Sequence, residues 1–218
     1  FNDCVCLTTV TLGNDLTYIG EGAFYHCPLL TSITIPDSVT NIGEGAFYYC
    51  YDLVSVTIGN SVTSISNFMF AECMSLTTIT IPDNVTSIGA GAFYECIKLA
   101  DVTIPDKVTS IGEAAFYYCR DLTSLTIPDS VNSIADNAFD YCSEELVFTV
   151  NNDYVIEYME KNNLNYILNS NNKDSLVFKL NEDSQSYSIV GHNMTTETEL
   201  VIPSTYNDLP VTSIDNEA

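Results

Sequence analysis

Cysteine is the side chain best placed to do chemistry here. Seven of the eight cysteines, Cys4, Cys27, Cys50, Cys73, Cys96, Cys119 and Cys142, stand 23 residues apart. So many thiols in an acidic chain suggest a disulfide framework. The constant step argues against one. Residues one coil apart in a stack point the same way at about 4.8 Å, farther than the ~3.8 Å between bonded Cβ atoms. The column is therefore read as buried thiols that pack as small hydrophobes. Cys6 stands off the column, where other units carry Leu29, Asp52, Ser75, Lys98 and Asp121; it is either an exposed thiol or a strained partner of Cys4. No cysteine has the spacing or the histidine neighbours that zinc requires, and no metal ligand is assigned.

Oxygen-bearing side chains recur with the same step. Asp37, Asp83, Asp106 and Asp129 form a column interrupted by Asn14, Asn60 and Asn152. Carboxylates so spaced could share calcium, but each aspartate follows a proline and already has a turn role; Lys107 and the asparagines relieve charge. Thr11, Thr34, Thr57, Thr80, Thr103, Thr126 and Thr149 make an unbroken column beside Thr9, Ser32, Ser55, Thr78, Asp101 and Ser124. Threonine suits strands and bonds across them. The same ladder offers a flat hydroxyl-rich surface, and its members Ser32, Thr34, Ser55, Thr57, Thr78, Thr80, Asp101, Thr103, Ser124 and Thr126 are the candidate partner-binding residues. Tyr25, Tyr48, Tyr94 and Tyr117, joined by Tyr49, Tyr118 and Tyr141, form an outer column suited to packing between coils or to an interface.

For catalysis the residues are poor. There are two histidines. His26 shares a column with Tyr49 and Glu72, and His192 follows a glycine; neither has a partner nucleophile. No nucleophile elbow or phosphate loop occurs. An active site needs unlike residues converging on one point, and repetition supplies like ones. No catalytic residue and no cofactor is assigned, and the chain is read as non-enzymatic.

The elements that must position these columns follow from the period. Besides cysteine, Phe1, Phe24, Phe47, Phe70, Phe93, Phe116 and Phe139 keep the step, as do Leu7, Leu30, Leu53, Leu76, Leu99 and Leu122. One unit reads A-F-x-x-C-x-x-L-x-x-I-x-I-P-x-x-V-x-x-I-G. Leu30–Ile35 alternates and is β-branched, the pattern of a short strand; Pro36-Asp37 turns the chain. Ala46, Phe47 and Cys50 suit one helical or 3₁₀ turn with its apolar side inward. In the second full unit Ala46, Phe47, Cys50, Leu53, Val56, Ile58, Val62 and Ile65 point inward. One such unit cannot cover its own apolar face, so the units must stack. In the third full unit Gly59 replaces Pro, Ser66 replaces Gly, and Asn67-Phe68-Met69 departs from the usual pattern; a local bulge is expected there.

Length and charge agree. The chain has 218 residues, is 46% hydrophobic, and carries 29 acidic against 6 basic residues for a net charge of −23. Too few cations are present to cluster on phosphates, which excludes nucleic acid as a partner. No apolar run reaches the roughly 20 residues of a membrane helix.

The motif L-x-x-I-x-I-P-x-x-V-x-x-I-G-x-x-A-F-x-x-C resembles the BspA-like leucine-rich repeats of secreted and surface proteins, over about residues 1–150. The expected fold is a repeat solenoid: a right-handed leucine-rich-repeat coil of about seven 23-residue units over 1–150, each with one short parallel strand and a short helical or 3₁₀ turn. A capping helix and strand over 151–168 follow, with Tyr154, Tyr158 and Met159 on one side of the helix. Residues 169–218 read as a linker (Asn169–Asp174), a hairpin (Ser175–Leu180 with Ser186–Val190), and the truncated start of a second array at Leu200–Pro203 and Val211–Ala218. The resemblance implies an extracellular or cell-surface protein-interaction module, adhesin-like, that binds a host, matrix or cell-surface protein. The alternatives are a structural spacer and a glycan-binding module; the absence of tryptophan weakens the last.

Overall fold

A computed structural model describes residues 1–168, 176–180, 186–192, 205–206 and 209–214. The chain divides into two compact units, Phe1–Leu146 and Val147–Ala218. In the first, strands recur once per coil at two places: β1 (Tyr18–Ile19), β2 (Ser32–Thr34), β3 (Asn41–Ile42), β4 (Ser55–Thr57), β5 (Thr78–Thr80), β6 (Ser87–Ile88), β7 (Asp101–Thr103), β8 (Ser110–Ile111), β9 (Ser124–Thr126) and β10 (Ser133–Ile134). The sequence had suggested one strand per unit; a second, two-residue strand follows the proline turn. Pairing is parallel with a step of one repeat, as in Ser32↔Ser55, Thr78↔Asp101 and the row Ser87, Ser110, Ser133. The unit is a parallel solenoid.

Its core repeats by column. Ala46, Phe47, Cys50, Leu53, Val56, Ile58, Val62 and Ile65 are all buried, as are their counterparts in the next coils. The phenylalanine rings stack in one file, Phe24 on Phe47 at 5.4 Å and 3°, Phe47 on Phe70 at 5.5 Å and 8°, Phe93 on Phe116 at 5.2 Å and 19°. Offset stacking of aromatic rings adds to the area they bury.

The turn expected to be helical or 3₁₀ keeps i→i−3 bonds, Tyr48 N–H to Gly45 O at 3.1 Å and Cys50 N–H to Phe47 O at 3.3 Å. It does not become a helix. The intervening N–H groups of Gly45, Phe47 and Tyr49 instead donate to Asn67, Met69 and Ala71 of the next coil. Alternation requires left-handed backbone: one file of positive φ runs through His26, Tyr49, Glu72, Glu95, Tyr118 and Tyr141, another through Gly22, Gly45, Phe68, Gly91 and Ala114. Non-glycine residues there are strained, and the bonds to the next coil hold them.

The third full unit is absorbed without a shift of register. Its second strand shrinks to a single bridge, Ile65↔Ile88. At the corner of the coil, a Cβ on Gly43 would lie 2.3 Å from the Glu21 nitrogen. Ser66, one coil later in that column, does carry a Cβ, and its hydroxyl donates to the Ile42 and Gly43 carbonyls at 2.9 and 3.0 Å.

In the second unit, β11 (Val147–Val150) runs parallel to β12 (Asn165–Leu168), joined by the helix α1 (Asp153–Lys161). Asn152 caps α1, its side chain accepting from Val155 N–H at 2.7 Å. Val155, Tyr158 and Met159 are the buried side. Tyr154, which the spacing placed with them, is 39% exposed: Val155, three and four residues before Tyr158 and Met159, sits nearer the middle of the buried stripe than Tyr154, four and five before them. Tyr166 of β12 donates to Glu160 at 3.0 Å. β13 (Leu176–Leu180) and β14 (Tyr187–His192) pair antiparallel, and β16 (Leu209–Ile214) lies parallel to β14 and antiparallel to β15 (Thr205–Tyr206). The linker Asn169–Asp174 and the stretches Leu200–Pro203 and Asp215–Ala218 lie outside the described residues.

Candidate functional site

The strands put one face of small polar groups in the open. Ser32, Thr34, Ser55, Thr57, Thr78, Thr80, Asp101, Thr103, Ser124 and Thr126 are all exposed. The residue between each pair, Ile33, Val56, Ile79, Val102 or Leu125, is buried, as the period-2 alternation of a strand demands. Within β2–β4 and β5–β7 the exposed residues stand directly opposite their counterparts. The ten side chains predicted to face a partner therefore share one surface.

The cysteine column is chemically quiet. All eight cysteines are free. The thiols of Cys50, Cys73, Cys96 and Cys119 are buried and donate to the carbonyls of Phe24, Phe47, Phe70 and Phe93 in the preceding coil, at 3.2, 3.3, 3.1 and 3.4 Å. Each thiol is thus a weak inter-coil donor as well as a small hydrophobe. Burial pushes Cys50 and Cys142 up to about 12 and raises Cys73, Cys96 and Cys119 well above the ordinary thiol value, so these groups stay protonated and unreactive. Cys6 is exposed.

In the aspartate column, Asp37 Oδ1 accepts from Asn60 N–H of the next coil at 2.7 Å; one position further on, Lys107 Nζ donates to Asn84 Oδ1 at 2.8 Å. Among the described residues no three His, Cys, Asp or Glu side chains form a group that could hold a metal ion. His26 Nδ1 lies 2.7 Å from Asp3 Oδ1, one coil away, on an exposed surface.

On the turn side the side chains are large. Tyr48 stacks on Tyr49 at 4.1 Å and Tyr94 on Tyr117 at 5.0 Å. The tyrosine column breaks at Ala71, and Phe68 supplies a ring beside that break. It stacks on Tyr48 at 6.0 Å and 12° and lies over Gly91, where a Cβ would meet its ring at 2.4 Å. Sequence reasoning noted Phe68 as a departure and missed this role; the signal was that Gly→Phe at 68 and Tyr→Ala at 71 occur in the same unit. The Glu72 carboxyl is raised from its ordinary value by partial burial and by Glu95 one coil on.

Stacked parallel coils with this column order define a leucine-rich-repeat solenoid. The chain belongs to the family described as BspA type leucine rich repeat region, whose profile matches in 6 copies over residues 1–93 and 63–173. Among solved structures it is similar to a leucine rich cell surface protein of Faecalibacterium prausnitzii A2-165 (32% identity, 86% of this chain and 48% of that one, TM-score 0.64). A leucine-rich repeat protein of Eubacterium ventriosum is also similar (29% identity, 63% and 37%, TM-score 0.59). The leucine rich repeat protein of T. pallidum shares the fold at 24% identity (69% and 78%, TM-score 0.53). The chain thus spans about half the length of the first and 37% of the second. No curated protein matches it.

Proposed function

We propose that the array is a non-enzymatic protein-interaction module of an extracellular or cell-surface protein, adhesin-like, and that it binds its partner through the strand face from Ser32 to Thr126. The observation that carries this is the ladder itself: ten exposed side chains at the same two positions of successive coils, in register within β2–β4 and β5–β7, above buried residues that fix their spacing. Membership of the family supports the binding role, and the similar F. prausnitzii protein, described as a cell surface protein, supports the location. No helix among the described residues is long and apolar enough to cross a membrane.

The test is a binding panel of purified matrix and cell-surface proteins, with an oligosaccharide panel beside it. A protein ligand that binds the wild type and is lost on replacing Thr57, Thr80 and Thr103 together by Lys, with unchanged circular dichroism, supports the reading. A ligand that tolerates the replacement moves the site elsewhere; binding only to sugars, or to nothing, favours the glycan module or the spacer.

A further inference from the structure

The turn side carries a second surface unlike the strand face. Two of its rings, Phe68 and Tyr141, are exposed, and the other tyrosines are half-buried. Phe68 holds a positive φ of 52°, which bulky residues avoid, yet its ring is 40% exposed. Tyr141 at the other end is 65% exposed. A ring needed only for the core would be hidden; these extend an aromatic stripe across successive coils.

Two carboxylates lie within the stripe. Glu72 and Glu95 occupy one column in successive coils and repel each other. Among the described residues no lysine or arginine pairs with either. Rings beside unneutralised carboxylates are complementary to a cation, which the ring faces and the acids attract together. Among the described residues one such pairing occurs: the Arg120 guanidinium lies 4.1 Å over the Tyr118 ring and donates to its hydroxyl.

We propose that this aromatic–acidic stripe docks a cationic segment of a protein partner, with arginine or lysine side chains against the rings of Phe68, Tyr94 and Tyr117 and their charges paired with Glu72 and Glu95. The surface is separate from the Ser32–Thr126 face, so either can fail without the other. With 29 acidic and 6 basic residues in the chain, cation binding alone proves little. The test must separate rings from net charge.

The probe is a labelled hexa-arginine peptide titrated against the full chain by fluorescence anisotropy. Tyr94→Ser with Tyr117→Ser leaves the net charge unchanged and is expected to weaken binding about tenfold, two exposed cation–π contacts at about 0.5–1 kcal/mol each. Tyr94→Phe with Tyr117→Phe keeps the rings and should restore it. Glu72→Gln with Glu95→Gln should weaken binding at least as much, whereas Asp83→Asn with Asp106→Asn, an equal charge loss at exposed positions elsewhere, should change it less than twofold. Circular dichroism melts confirm that each variant folds. Equal losses in the site and control acid variants, insensitivity to the ring deletions, or no binding at all would overturn the proposal. So would a neutral oligosaccharide that needs the tyrosines while hexa-arginine does not.

Discussion

The strand face and the turn side of one coil obey the same 23-residue period in different ways. On the strand face, the exposed positions of the strands hold Ser, Thr or Asp, all small side chains. On the turn side, a residue's fit depends on what stands one coil away: Phe68 needs Gly91, and Ser66 bonds the carbonyls of Ile42 and Gly43. The strand face is therefore free to vary in chemistry at little cost in stability. At Phe68 the turn side varies by a change matched to its neighbours, Gly91 below the ring and Ala71 beside it.

The largest effect should come from the ring file that lines the inside of the turn. Phe70→Ala removes a fully buried ring between Phe47 and Phe93 and should cost about 3–5 kcal/mol in urea unfolding. A loss below 1 kcal/mol would mean that the turn side is as permissive as the strand face.

The coupling between coils is sharpened by a double-mutant cycle. Gly91→Ala places a Cβ against the Phe68 ring in a positive-φ position and should cost about 1–3 kcal/mol. With Phe68→Gly already present, part of that cost should vanish, a coupling of at least ~0.5 kcal/mol. Strict additivity would show that the two departures are unrelated.

A smaller effect belongs to the thiols. Cys73→Ala loses a donor to Phe47 O and some packing, and should cost about 1–2 kcal/mol; Cys73→Ser keeps the donor. The thiols also set an alkaline limit. Their folded values lie above the ordinary 9.0, Cys50 and Cys142 at about 12. The unfolded chain therefore loses its protons first. Stability should be full below pH 9 and fall as the pH rises toward 12, less steeply in Cys50→Ser.

The smallest effect is expected on the strand face itself. Thr57→Val should move stability by no more than about 0.5 kcal/mol by thermal melts, since only an exposed hydroxyl changes.

Much of this was legible in the repeat. Columns of Phe, Cys, Leu and Ile revealed which residues face inward, because only stacking gives identical environments to identical positions. The hydroxyl ladder followed from strand alternation. What the columns hid was atomic direction. Nothing in the spacing of Ala46, Phe47 and Cys50 says that alternate N–H groups turn to the next coil instead of closing a helix, nor that the Cys50 thiol finds the Phe24 carbonyl. At Phe68 the hidden fact was a side chain crossing between columns. At Tyr154 it was a helix phase off by one residue.

Native-state hydrogen exchange on Phe70→Ala tests most directly whether each coil is held by its neighbours. Amides of the coils that flank position 70, such as Phe47, Glu72 and Phe93, should lose most of their protection while Tyr18–Phe24 and Phe116–Val131 keep theirs. A uniform loss from Tyr18 to Val131 would show a single cooperative globule and contradict the stacking account.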